Sequence, residues 1–286
     1  MTVYFAGGAH YEFLKNKPVL ESFWYRRNAE KAMQMTDNFF LDSGAFSAFT
    51  KGKVIDVERY AEFVQLHREN ITVASSLDSI GNAQKSLDLY TELVTQLGCP
   101  EVIPVFHCRE DPKYLVEYIK MGVPYMALGG MVPESTSWLY GWLDDLWANY
   151  LTDNNGNALL KVHGFGLTVG NLIERYPWFS VDSTTWLNGS RFGTAIFNFE
   201  GRRIVHVPVS TRNPAAKQLT SIHVDNLTSH EMDAVEQQLD SAGFTLKQIR
   251  EDNLALLEFN AFSFSDWERR FGFPDHFTIH TQQGLF

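Results

Sequence analysis

Val102–Gly130 reads VIPVFHCREDPKYLVEYIKMGVPYMALGG. Val102–Phe106 is an apolar run of strand length, Pro112–Met121 carries a helical pattern, and Tyr125–Leu128 is a second apolar run. Strand, helix and strand at this spacing predict a parallel βαβ unit. The first run gives way to His107 and the second to Gly129-Gly130, residues suited to a site rather than a core.

The same rhythm continues outward in both directions. Val3–Ala6, Phe39–Asp42, Thr72–Leu77, Lys161–Phe165 and Phe179–Asp182 are further candidate strands, with Leu254–Phe259 as a possible eighth. Val57–Glu69, Ala83–Leu97 and Val169–Tyr176 have helical patterns between them. About eight such units in 286 residues predict an α/β fold, a (β/α)8 barrel forming a single domain over residues 1–286. An open parallel sheet is the alternative. Thr194–Val209 breaks the pattern: Ala195–Phe199 and Ile204–Val209, joined across Gly201, read as a β-hairpin inserted after the seventh strand. The insertion spans approximately residues 185–220.

A hydrophobic content of 44% is enough for one large core. Cys99 and Cys108 are the two cysteines, and neither sits in a CxxC pair, so neither a disulfide framework nor a zinc site is expected. Met1–Tyr11 has no basic region and no long apolar run, which predicts neither leader nor membrane anchor and a cytoplasmic protein. The net charge of −10 opposes general nucleic-acid binding, since backbone affinity comes from Lys and Arg. Thr185–Thr220 runs the other way: Arg191, Arg202, Arg203, Arg212 and Lys217 against Glu200 alone. Such a segment is either a solvated loop or a grip on phosphates.

Polar residues and glycines recur where strands end: Asp42-Ser43-Gly44, Asp78-Ser79, His107, Gly129-Gly130, His163-Gly164 and Asp182-Ser183. One of these alone would be an ordinary helix cap. Together they mark the carboxyl-terminal face, where barrel enzymes place their sites. Asp182 and Asp42 supply the paired carboxylates that glycosidic-bond chemistry needs, one to attack the anomeric carbon and one to move a proton. Gly129 and Gly130 allow a ligand close to the backbone. Phe46 and His163 offer flat faces for a planar ring.

These motifs resemble those of the tRNA-guanine transglycosylase superfamily over about Phe39–Gly193. Asp42-Ser43-Gly44-Ala45-Phe46 is similar to its DSGG-aromatic motif, and Ala127-Leu128-Gly129-Gly130-Met131 to its ALGGL motif. Gly164-Phe165-Gly166-Leu167-Thr168 resembles its GxGT turn. Val181-Asp182-Ser183 stands where the family has its FDC nucleophile, followed by a matching Arg191 and Gly193. The resemblance implies that Asp182 attacks C1′ and expels guanine, with Asp42 as acid/base partner. Asp78 and His107 would read the base edge, and Gly129 and Gly130 would donate to its O6. Phe46 and His163 would sandwich the ring, stacking that is worth about 1–3 kcal/mol per base. Arg191, which matches a family Arg, would hold the nucleic-acid backbone, and Arg202 and Arg203 are expected to join it from their place at the tip of the net-positive hairpin. The replacement base would be a free 7-deazaguanine such as preQ0, with no other cofactor.

The family's zinc ligands are missing, its Cys after the nucleophile is Ser183, and Asn188 replaces its first following Arg. The short, zinc-free form looks more like the phage and bacterial branch that modifies DNA, so DNA is the expected partner ahead of tRNA. A homodimer is compatible with the sequence. For a phage-encoded chain the compartment would be the host cytoplasm. A zinc-less tRNA enzyme, a non-catalytic nucleic-acid-binding homologue and a simple nucleoside hydrolase are the competing readings.

Overall fold

The computed structural model describes residues 1–132, 134–167, 170–199, 203–211, 222–270, 274 and 276–277. Two compact units divide the chain: residues 1–182 with 273–286, and residues 183–272.

The first unit is a parallel α/β barrel. Its strands are β1 (Thr2–Ala6), β2 (Val19–Ser22), β3 (Phe39–Asp42), β4 (Val73–Ser75), β5 (Val102–Ile103), β6 (Val105–His107), β7 (Tyr125–Gly129), β8 (Lys161–Gly164) and β9 (Ser180–Ser183). They lie in the order β5-β4-β3-β2-β1-β9-β8-β7-β6. β5 and β6 are two halves of one run, divided at Pro104, whose nitrogen has no hydrogen to give to a ladder. The first half pairs with β4 and the second with β7, which closes the ring. Counted as one run, the strands fill eight positions.

Helices α1 (Arg26–Met33), α2 (Ala45–Thr50), α3 (Val57–Leu66), α4 (Ala83–Thr95), α5 (Pro112–Lys120), α6 (Thr136–Leu146) and α7 (Gly170–Arg175) follow the strands. Their starts are written locally. Asp56, Asn82, Asp111 and Ser135 each cap a helix by accepting from a backbone N–H two or three residues ahead.

The eighth strand is not where the apolar runs place it. Leu254–Phe259 lies inside helix α11 (Asn253–Arg270), and the missing strand is β2. Leu256, Asn260, Ser263, Phe264 and Trp267 are buried at helical spacing, which overrides the β-like look of the short run. In β2 only Val19 and Leu20 are apolar, too little for periodicity to show. The strand bearing Asp182 is therefore the last of the barrel, and the hairpin follows the eighth strand, not the seventh.

The second unit holds α8 (Thr185–Arg191), the hairpin β10 (Thr194–Phe199) and β11 (Arg203–Pro208), and α9 (Ser229–Ala242), α10 (Leu246–Glu251) and α11. Phe197, Val207, Val235, Leu239 and Phe259 form its core. Asn260 is wholly buried yet satisfied: it accepts from Ile196 N at 2.9 Å and donates to Thr194 O at 3.2 Å and Trp186 O at 3.3 Å. Loss of such a group leaves buried partners unpaired, at about 1–3 kcal/mol each. Among the described residues, no helix is long and apolar enough to cross a membrane.

Candidate active site

Alternate residues of each strand face the barrel interior. Tyr4, Leu20, Phe40, Val105, Tyr125 and Ala127 fill its middle as one apolar cluster. Two residues further along, the character changes. Leu20 leads to Ser22, Phe40 to Asp42, Val105 to His107 and Ala127 to Gly129. Strand register sets Ser22 beside Asp42 and His107 beside Gly129. On β9 the corresponding step runs from Ser180 to Asp182. The carboxyl-terminal mouth is thus polar over an apolar floor.

Asp182 is buried. Its Oδ1 accepts from Gly166 N at 2.8 Å and from His163 Nε2 at 3.3 Å. Oδ2 is the oxygen left for a substrate. A carboxylate can only accept here, so His163 carries its proton on Nε2 and its Nδ1 accepts from the Ser180 hydroxyl at 2.6 Å. Ser180 in turn receives the Tyr125 hydroxyl at 2.6 Å. A buried chain of donors therefore runs from Tyr125 through Ser180 and His163 to Asp182. Burial pushes His163 below its ordinary value, keeping it neutral despite Asp182, and pushes Tyr125 up to about 12.

Asp42 faces two other carboxylates. Burial, then the charges of Asp78 and Asp182, raise it to about 7, against hydrogen bonds from Ser22 and Gly44 N. The Gly44 amide lies 3.1 Å from Oδ2. Gly44 has φ +80°, and a Cβ there would strike Ser22 and Trp24, so the tight turn after β3 requires glycine. A carboxyl poised near neutrality suits proton transfer in both directions.

Asp78 and His107 act as a pair. Asp78 Oδ2 lies 2.9 Å from His107 Nε2, and Oδ1 accepts from Ser43 Oγ at 3.2 Å. Glu110 flanks the other ring nitrogen at 3.7 Å. Burial works against the imidazolium, but hydrogen bonds and charge from Asp78 and Glu110 outweigh it and raise His107 to about 9. Gly129 makes room for the ring: a Cβ there would sit 2.9 Å from His107 Cδ2.

The raised His107 stabilises the fold fully below its unfolded pKa of about 6.5, and that contribution fades as pH rises through about 9. Urea unfolding of the wild type should lose roughly 3 kcal/mol over that window. His107→Gln should remove this slope, and Gly129→Ala should shrink it by displacing the ring. Equal slopes in all three proteins would show that the pair does not form.

Other predicted residues are placed differently. His163 is wholly buried, packed by Phe40 at 4.5 Å and Phe165 at 4.6 Å between ring centres. No ligand ring can stack on it, so the expectation of a stacking face is corrected: it positions Asp182. Phe46 lies in the first turn of α2 and is 64% exposed. Gly130 is exposed with φ +73°. Arg191 ends α8 in the second unit and is exposed. Arg202 and the side chain of Arg203 lie outside the described residues. Sequence reasoning missed Tyr125, Ser180 and Ser22. Ser180 lies two residues before Asp182 on one strand, a period-two signal that could have found it. Among the described residues, no cluster of His, Cys, Asp and Glu is arranged to hold a metal ion.

No family model matches the chain. No curated protein matches it. Among solved structures, it is similar to a chain from Coccidioides immitis provisionally assigned as a fructose-1,6-bisphosphate aldolase. The two are 11% identical with a TM-score of 0.46, over 95% of this chain and 92% of that one.

Proposed function

We propose that the protein is a transglycosylase that exchanges guanine in nucleic acid, DNA ahead of tRNA, for a 7-deazaguanine base. The observation that supports this reading best is the meeting of three carboxylates, Asp42, Asp78 and Asp182, at one barrel mouth, with Asp42 near neutrality. Asp182 Oδ2 attacks C1′ as the C1′–N9 bond breaks, and Asp42 delivers its proton to the departing guanine. The incoming base loses its N9 proton to Asp42 and attacks C1′, breaking the aspartyl ester. Two displacements retain configuration. His107, held as an imidazolium against Asp78, replaces a neutral reader of the base edge with a charged donor. The target nucleotide must leave the stack to bring C1′ and base into the mouth.

The test is guanine release from labelled DNA and tRNA, with and without preQ0. Release that depends on preQ0, with the 7-deazaguanine recovered in the polymer, is expected. Release at the same rate without it would make the protein a hydrolase, and no release from either polymer would overturn the reading.

A further inference from the structure

We propose, resting on that transglycosylase reading, that the nucleotides flanking the exchanged one lie as a single strand across the loops after β2, β3 and β4. Their bases would rest on Phe46 and Phe49 and their phosphates on Lys51, Lys53 and Lys85.

Those three loops adjoin Asp42 and Asp78 and carry an unusual surface. Phe46 is 64% and Phe49 58% exposed on the short helix α2, which directly follows the Asp42 turn. A cavity of about 390 Å3 opens beside Phe49, walled by Phe49, Val54, Leu77 and Leu89. Its size is within the range of small-molecule sites, about 300–1,000 Å3. Asp78, Lys53 and Lys85 also line it. Lys51 lies over the rings of Trp24 at 5.2 Å and Tyr25 at 5.3 Å, which keeps its charge at the surface.

Arg26, Arg27, Lys51, Lys53 and Lys85 are exposed, and none has a carboxylate partner among the described residues. The nearby Asp56 is already used as the cap of α3. The loops on the opposite side of the mouth are arranged the other way. Arg109 there is doubly bonded to Glu134, at 2.7 and 2.8 Å, and covers Trp138, while Lys113 faces Asp111. In a protein of net charge −10, cations with no carboxylate partner among the described residues, interleaved with exposed aromatic rings beside the site, complement a polyanion with stackable bases. A duplex would hide those bases, so the fitting partner is single-stranded.

The experiment is fluorescence anisotropy of the full chain with labelled oligo(dT) and oligo(rU) of equal length, over a series of salt concentrations. Lys51→Ala with Lys53→Ala should flatten the slope of log affinity against log salt by about 0.7 for each phosphate no longer neutralised. Phe46→Ala with Phe49→Ala should weaken binding by about 5- to 150-fold for each base unstacked, with the slope kept. Both rings are exposed, so the fold should tolerate their removal. Lys113→Ala with Lys120→Ala, on paired lysines elsewhere, should bind like wild type. Tighter binding of oligo(rU) with the same variant effects supports the surface and assigns it to RNA. Unchanged affinity and slope in both test variants would overturn it. Binding is measured without any exchange, so the two readings fail separately. Exchange by a wild type whose variants bind normally sinks the surface alone. Variant effects on binding without exchange sink only the transglycosylase.

Discussion

Asp182→Asn will abolish base exchange, lowering the rate by at least about 10^4-fold, as removal of a covalent nucleophile does. Asparagine is the informative choice. Its side-chain oxygen can still accept from Gly166 N and His163, the two donors that Asp182 Oδ1 meets. Alanine would instead leave both donors buried and unpaired, at about 1–3 kcal/mol each. The asparagine variant should therefore melt near the wild type, and its inactivity would be chemical. Denaturing mass spectrometry of wild type quenched with guanine-containing DNA should show an adduct with the mass of the strand less guanine, and the variant none. Near wild-type exchange by Asp182→Asn would end the assignment of the nucleophile.

Asp42→Asn should gain stability while it loses activity. The folded-state pKa of Asp42 is raised from 3.8 to about 7. The neutral carboxyl is thus favoured by the fold, and stability from this group is complete below about pH 4 and is lost as pH rises through about 7. The full loss is at most roughly 4 kcal/mol. Asparagine never ionises, so the variant should match the wild type near pH 4 and unfold at higher denaturant concentration near pH 8. Exchange should fall about 10^2- to 10^4-fold, the usual contribution of a positioned acid/base. The wild-type rate should also decline above pH about 7, where the acid is spent, and the residual variant rate should not. A constant stability gap from pH 4 to 8 would show that Asp42 is not held near neutrality.

Much of the barrel was readable because parallel strands buried on both faces leave unbroken apolar runs, as at Phe39–Leu41 and Tyr125–Leu128. β2 was not, since two apolar residues carry no period, and its Ser22 went unseen with it. Leu254–Phe259 misled for the opposite reason: a short apolar window is compatible with strand and helix alike until the buried residues beyond it are counted. For the site, residue type and place at a strand end pointed to Asp42, Asp78, His107 and Asp182. What such a reading cannot supply is direction and depth. His163 was chosen as a flat ring, and only its burial behind Phe40 and Phe165 and its bond to Asp182 show that it is a partner of Asp182 instead. His107 was placed beside the base, but its charge comes from Asp78 and Glu110, one on a different loop and the other three residues ahead.

The buried chain from Tyr125 to Asp182 has a polarity. With His163 donating to the carboxylate, every hydrogen in it must point the same way, toward Asp182. Reversing it would set a lone pair of His163 against a lone pair of Asp182, which no rotation of a hydroxyl can relieve. The barrel wall thus acts one way: it holds the inner oxygen of Asp182 as an acceptor, and a proton could pass along it only toward Asp182, against a Tyr125 hydroxyl that burial holds up at about 12. The proton that exchanges most readily in this mouth is therefore the one at its outer edge, on Asp42, which titrates near 7.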